Sequence, residues 1–294
     1  MRFSEITPIS FLSNFINQSF KLVFDDKDCS QPQLFLPEGQ LSVIYLHEGG
    51  IKLQSALGTS IFLGPAILVG CFTNYQYVYA IGKTTVYGTT LPPQAAMSAL
   101  RLPAGELTDC FTPLHDIIPS EHGNLIERLA YALSDEEIQQ VVQLFLARRI
   151  AVSSDEHVKM TQLFNLILIN KGLQPVTDLA DKMDMSIRSL QLIFKDHTGL
   201  SLKKYLDLCR FNYAKSIIQS QPHLRLTDIG HQLGYYDQSH FIKHFKRFAG
   251  IRPKEFHREQ VGMGQYFGLF MSEEPINHVA PALIHKKGHL MAAF

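Results

Sequence analysis

The sequence predicts a two-domain α+β chain. A compact antiparallel β sandwich or barrel with trailing helices comes first, then an all-α domain of two helix-turn-helix units joined by a long helix. Three observations predict this. Residues 1–100 are rich in β-branched and aromatic residues, in short runs broken by Gly and Pro. From residue 157 onward, apolar residues recur at spacings of three and four. Charge also divides along the chain: residues 1–160 hold 10 Lys+Arg and 16 Asp+Glu, residues 161–294 hold 17 and 11, and net −6 and net +6 sum to the zero of the whole. The 294 residues are enough for two ordinary domains.

In chain order, Ser10 to Ser19 is a short leading helix, and the candidate strands follow. These are Phe20–Phe24, Gln33–Leu36, Leu41–Leu46, Gly50–Gln54, Ser60–Leu63, Ala66–Cys71, Gln76–Ile81 and Thr84–Thr90. Pro37, Gly39, Gly49-Gly50, Gly58, Gly64-Pro65 and Gly82 supply the turns between them. Tyr75, Tyr77, Tyr79 and Tyr87, with Phe72, either line an apolar pocket with hydroxyl handles or form one face of a strand in the core. Asn124–Leu133 and Asp135–Ile150 are two helices, the second opened by a Ser134/Glu137 capping box. Its apolar face, Ile138, Val141, Val142, Phe145 and Leu146, packs either on its own sheet or on a twin in a dimer. These elements make residues 1–150 a sensor or dimerisation domain. Residues 151–156 are the linker, 157–259 the α-domain, and 260–294 a tail without a legible role.

The α-domain opens with a helix over His157–Lys171. Its most informative stretch is Ile229 to Arg258, a short helix, a turn at Gly234 and a second helix. Thr227 is placed to cap the first helix and Asp237 the second. Phe241, Phe245 and Phe248 form the buried stripe of the second helix, which leaves Gln238, Ser239, His240, Lys243, Lys246 and Arg247 outward. A second copy lies upstream. Thr177-Asp178-Leu179-Ala180 repeats as Thr227-Asp228-Ile229-Gly230 at an offset of fifty, and one residue is then inserted in the turn. At fifty-one, Leu190 matches Phe241, Phe194-Lys195 matches Phe245-Lys246, Gly199 matches Gly250 and Tyr205 matches Phe256. Ser186 caps the second helix of this copy, whose inward residues are Leu190, Ile193, Phe194 and His197. Ser201–Gln219, apolar at three- and four-residue spacing, is one helix of roughly 28 Å between the copies.

The run LGYYDQSHFIKHFKRFAGIRPKEF resembles the C-terminal signature of the AraC/XylS family of bacterial transcription regulators. The order Leu-Pro-Pro, Ala-Leu-Arg-Leu-Pro, Glu-Leu-Thr-Asp within Gly88–Ile118 resembles, less densely, the sensor-side domain of a subset of that family. The resemblance implies promoter DNA as partner, with both second helices in successive major grooves on one face of the duplex. It implies that Arg188 and Gln191 meet bases, with Ser189 and Leu192 beside them, and that Gln238, Ser239, His240 and Lys243 do so in the second unit. Lys195, Lys246, Arg247 and Arg252 are better placed for phosphates. Leu192 departs from the polar residue common there, and either touches a thymine methyl or marks a copy that reads fewer bases. The expected function is therefore sequence-specific transcription regulation in the cytoplasm, with a small-molecule effector acting through the N-terminal domain. The alternative is an N-terminal domain that only dimerises or binds protein. RNA polymerase and a second copy of the chain are further candidate partners, and activator and repressor stay open.

Other classes find little support. His47-Glu48, His115-Asp116 and Glu121-His122 lack the paired spacing of a barrel metal site. Cys29, Cys71, Cys110 and Cys209 are scattered, so they read as small apolar residues in a reducing compartment. No phosphate-cradling glycine loop or nucleophile elbow occurs, which leaves no catalytic residues and no cofactor to expect. The most apolar stretch, Ile61–Phe72, is interrupted by Gly64, Pro65 and Gly70 and is too short to span a membrane.

Overall fold

The computed structural model describes residues 1–9, 16–55, 58–93, 104–149 and 155–259. The N-terminal half is one eight-stranded antiparallel sheet. Its strands are β1 (Arg2–Ile6), β2 (Gln18–Phe24), β3 (Gln33–Phe35), β4 (Leu41–Ser55), β5 (Ser60–Phe62), β6 (Ala66–Val69), β7 (Gln76–Leu91) and β8 (Phe111–Pro113). The hydrogen-bonded order is β1-β2-β7-β4-β6-β8, with β3 also on β7 and β5 also on β4.

Two corrections to the strand expectations share one cause. Leu41–Leu46 and Gly50–Gln54 are a single strand, β4, and Gln76–Ile81 and Thr84–Thr90 are likewise one strand, β7. Gly49-Gly50 is a bulge, because the β4–β7 register shifts between Leu46 and Glu48 and again between Glu48 and Gly50. The bend lets each long strand serve two partners: β7 holds β2 with its second half and β3 with its first. In the same way β4 holds β6 through Ser42–Tyr45 and β5 through Lys52–Gln54. β1 and β8 were not expected, and the strand expected over Ala66–Cys71 ends at Val69. The expected leading helix over Ser10–Ser19 meets β2 at Gln18, and residues 10–15 lie outside the described residues.

The sheet has two covered faces. Phe20, Leu22, Phe24, Leu53, Val78 and Val86 pack together on one. On the other, Val43, Tyr45, Tyr87 and Leu91 pack against the trailing helices. Those helices are α1 (Leu114–Ile117), α2 (Pro119–Tyr131) and α3 (Asp135–Arg149). The Ser134/Glu137 box opens α3: Glu137 N–H donates to Ser134 Oγ at 3.2 Å, and the Glu137 carboxylate accepts from Leu133 N at 2.7 Å. Ile138, Val142, Phe145 and Leu146 are buried against the chain's own sheet, and Gln139 reaches the carbonyls of Phe20 and Gly88. That packing is the first of the two roles the sequence allowed for this face.

The α-domain starts two residues earlier than expected, so Asp155 and Glu156 belong to α4 (Asp155–Ile169) and not to a linker. Then come α5 (Val176–Lys182), α6 (Ile187–Thr198), α7 (Leu202–Ser220), α8 (Leu226–Gln232), α9 (Gln238–Ala249) and α10 (Pro253–Glu259). Residues 260–294, the expected tail, lie outside the described residues. No helix among the described residues is long and apolar enough to cross a membrane.

The two halves share their cores. Tyr205, Leu206 and Cys209 of α7 pack in one cluster with sheet residues, and Leu34 and Leu36 join the cluster around Phe211 and Phe245. The loop after β3 lies flat on α7: Pro37 O accepts from Asn212 Nδ2 at 3.2 Å, and buried Glu38 sits 3.5 Å from buried Lys215 Nζ.

Candidate nucleic-acid interface

Each helix-turn-helix unit is assembled from the same local devices. α6 begins at Ser186, whose Oγ accepts from Ser189 N at 3.1 Å, and α9 begins at Asp237, whose carboxylate accepts from His240 N at 2.7 Å. Both helices end on a glycine in the left-handed region, Gly199 at φ 72° and Gly250 at φ 75°. A side chain there would strain the backbone, and it would also collide with the N-terminal half. A Cβ on Gly199 would lie 2.2 Å from Thr108 Oγ1, and one on Gly250 2.6 Å from the Tyr75 ring. One cap expectation is corrected. Thr227 lies inside α8, whose N-cap is Arg225, and its hydroxyl instead approaches Gln238 Oε1 at 3.4 Å. Arg225 steadies that helix start through Asp228, at 3.0 Å.

The inward stripes match between the copies. Phe194 is fully buried against Phe164 and Tyr205, with ring centroids 5.3 and 5.4 Å apart. Phe245 is fully buried against Phe211 and Phe256, at 5.1 and 5.5 Å. Both stripes pack on α7, so this one helix carries both units.

The outward residues of both helices are exposed. Arg188, Ser189, Gln191, Leu192 and Lys195 are exposed on α6, and Gln238, Ser239, His240, Lys243, Lys246 and Arg247 are exposed on α9. Arg252 is exposed just beyond. Two of these polar groups are already engaged. Ser189 Oγ is 2.8 Å from the cap hydroxyl of Ser186, and Gln238 is paired with Thr227. Arg247 lies over the Phe248 ring at 5.6 Å. Leu192 is 60% exposed, so burial does not account for this apolar residue on a polar face.

Sequence reasoning missed two features. Tyr236, which directly precedes the α9 cap, is 90% exposed at the same end of the helix as Gln238 and His240. An aromatic so bare beside a cap residue is available for stacking or for a phosphate. The second is a polar brace between α9 and α7. Tyr235 Oη lies 2.7 Å from His244 Nδ1, His244 Nε2 lies 3.8 Å from Asp207, and Arg210 pairs with the same Asp207 while its guanidinium sits over Tyr235. Burial pushes the Asp207 carboxyl up, but the facing His244 and Arg210 outweigh it and hold it below the usual range. Burial pushes the Tyr235 phenol up, so it stays a neutral hydroxyl.

A helix-turn-helix domain profile matches residues 179–259, from within α5 to the end of α10. The C-terminal segment of the chain is a helix-turn-helix segment of the AraC type. A separate profile, a domain of unknown function (DUF6597), matches residues 4–113. Within the AraC-type segment the chain is 32% identical over 91 residues to the HTH-type transcriptional activator RhaR of Yersinia pseudotuberculosis, which is 30% of this chain and 31% of that protein. It is also 32% identical over 84 residues to the Msm operon regulatory protein of Streptococcus mutans, covering 29% and 30%. The chain thus spans about a third of the length of the curated relatives it matches. Among solved structures, ToxT from Vibrio cholerae aligns at a TM-score of 0.45 with 16% identity, over 84% of this chain and 98% of that one. The C-terminal domain of the response regulator yesN from Fusobacterium nucleatum aligns at 0.31 with 28% identity, over 33% and 94%. Both curated relatives carry names of regulators, RhaR as a transcriptional activator and the Msm protein as an operon regulatory protein. Among the described residues no group of three or more His, Cys, Asp or Glu is placed to hold a metal.

A cavity lies on the face of β7 that the tyrosines do not occupy. It measures about 70 Å³, is partly open to solvent and lies within the bent sheet, and of its sixteen lining residues only Glu38, Gln40 and Ser42 have polar side chains. Phe72 lines it, but Tyr75, Tyr77, Tyr79 and Tyr87 do not. Strand alternation is the reason: Val78 and Val86 face the cavity, so Tyr77, Tyr79 and Tyr87 face away. Tyr75 and Tyr77 pack toward the α9 cluster, and Tyr87 Oη donates to Asp135 at 2.6 Å.

Proposed function

We propose that this protein is a sequence-specific, double-stranded-DNA-binding transcription regulator acting in the cytoplasm, with α6 and α9 as its reading helices. The observation that carries the reading is the paired geometry: two helices with equivalent caps, equivalent buried stripes and exposed polar faces, both seated on one helix of 19 residues. That bar, roughly 28 Å long, suits two helices about one duplex turn, roughly 34 Å, apart. Arg188 and Gln191 read bases from α6, as do Gln238, Ser239, His240 and Lys243 from α9, and Lys195, Lys246 and Arg247 bind phosphates. RhaR, which shares this segment, is a transcriptional activator, which favours the same role here and RNA polymerase as a further partner. The N-terminal cavity takes a small effector, since it is apolar with a few polar groups converging on it.

Arg188→Ala tests the assignment of base contacts. The side chain is exposed, so the melting temperature stays unchanged. Specific binding weakens by about 1–3 kcal/mol and discrimination relaxes at one base position. Equal losses on specific and random duplex, measured by titration, would make Arg188 a phosphate contact instead.

A further inference from the structure

The polar corner of the N-terminal cavity carries its own information about what binds there. Glu38 lines the cavity, is 8% exposed, and its Oε1 has no hydrogen-bond partner among the described residues. Its one charged neighbour, Lys215 of α7, is 2% exposed and stands 3.5 Å away. That is long for a charge-assisted hydrogen bond, which usually closes to about 2.7–2.9 Å. The carboxylate therefore retains capacity to accept a hydrogen bond. The rest of the wall is aliphatic and aromatic, with Phe20, Leu53, Phe72 and Phe111 among it.

We infer that the cavity takes a neutral, apolar alcohol whose hydroxyl donates to Glu38. This rests on the effector reading of the cavity given above. Net charge selects the head group. At pH 8, where the titrations are made and Glu38 is ionised, Glu38 and Lys215 together are neutral, so an anionic head meets the Glu38 carboxylate and a cationic head meets the Lys215 ammonium. Either one adds an uncompensated charge to a buried site. A hydroxyl adds none, and it completes an acceptor that burial otherwise leaves unsatisfied. An apolar ligand lacking a donor gains the wall contacts but leaves Oε1 as it was.

The position of the head group also links the cavity to the reading units. The Glu38 loop is pressed onto α7: Gly39 sits at φ +71°, and a Cβ there would lie 3.0 Å from both Leu208 Cδ2 and Tyr205 Cε2. A hydroxyl on Glu38 competes with Lys215 for the same carboxylate. The ligand thereby acts on the helix that carries both reading units.

Four probes of matched size separate the possibilities: 1-octanol, its isomer methyl heptyl ether, octylamine and octanoate, each titrated calorimetrically at pH 8 into the purified full chain. Octanol is expected to bind at least ten-fold tighter than the other three. In the double variant Glu38→Leu/Lys215→Met, which removes the pair without stranding a charge, octanol and the ether are expected to bind alike. Octanoate or octylamine binding as tightly as octanol would overturn the head-group assignment while leaving an effector cavity in place. Ether and octanol binding alike to the wild-type chain would overturn it in the same way. Absence of binding by all four would overturn both the assignment and the effector reading, and the DNA-binding reading would be untouched. The comparison on the wild-type chain does not depend on the variant folding.

Discussion

Replacing Phe245 by alanine is expected to destabilise the second helix-turn-helix unit by about 3–5 kcal/mol. The ring is fully buried and touches aromatic rings from three other positions: Phe211 on α7, Phe241 on its own helix and Phe256 on α10. Truncation leaves a cavity that these large, rigid neighbours cannot fill without moving α9 off α7. Loss of DNA binding follows, because the exposed face of α9 is held in place by the buried one. Thermal melting checks the first part and titration of DNA the second. An unchanged melt would contradict the packing described here. Phe194→Ala is expected to act alike in the first unit, where Phe164 and Tyr205 play the corresponding parts.

Lys215→Met is expected to cost a comparable amount, about 3–5 kcal/mol near pH 8, by stranding a buried carboxylate. The cost depends on pH in a defined direction. Burial already pushes the Glu38 pKa from 4.5 up to about 7, against the opposing pull of Lys215. A raised folded-state pKa means that the folded chain binds more protons than the unfolded chain between about 4.5 and about 7. Stability from this group is therefore fully present below pH 4.5 and is lost as pH rises through about 7. Without Lys215 the carboxyl is pushed higher still, so the variant is damaged least in acid and most in mild alkali. The double variant Glu38→Leu/Lys215→Met is expected to melt near the wild type, because well-packed apolar residues often replace a buried ion pair at little cost. It is also expected to lose the fall in stability between pH 4.5 and 7. Denaturant titrations at pH 5 and pH 8 check both statements. A single variant equally affected at the two pH values would show that Glu38 is not confined as described.

The α-domain was legible in the sequence because its signals are local. Phe241, Phe245 and Phe248 mark a buried stripe through their spacing alone, Ser186 and Asp237 declare the helix starts, and Gly199 and Gly250 declare the ends. Repetition of all of these at one offset fixed the pairing of units. The β-domain was legible as a class but not in its connections. Gly49-Gly50 carries the same local signal whether the chain turns or bulges, and only the register against β7 decides. Thr227 illustrates a similar ambiguity, since a threonine early in a helix looks like a cap until the chain places Arg225 there. The tyrosines left a pocket wall and a core strand face both open, and the structure has the second. Period two shows that residues share a face but not which face, and Val78 and Val86 won the cavity side. The contact of Glu38 with Lys215 joins distant parts of the chain and leaves no pattern in sequence at all.

If α6 and α9 read duplex DNA together, the full chain must prefer its own site to random sequence. The most direct measurement is binding of the purified full chain to a fluorescent fragment of its own upstream region, against random duplex, across a salt series. Tighter binding to the upstream fragment is expected, with a log–log salt slope of roughly −3 to −5, because Lys195, Lys246, Arg247 and Arg252 are each placed to displace about one counterion. Substituting Arg188 and Gln191 together should erase the preference for the fragment while leaving most of that slope. Failure to bind any duplex at low salt would contradict this joint reading.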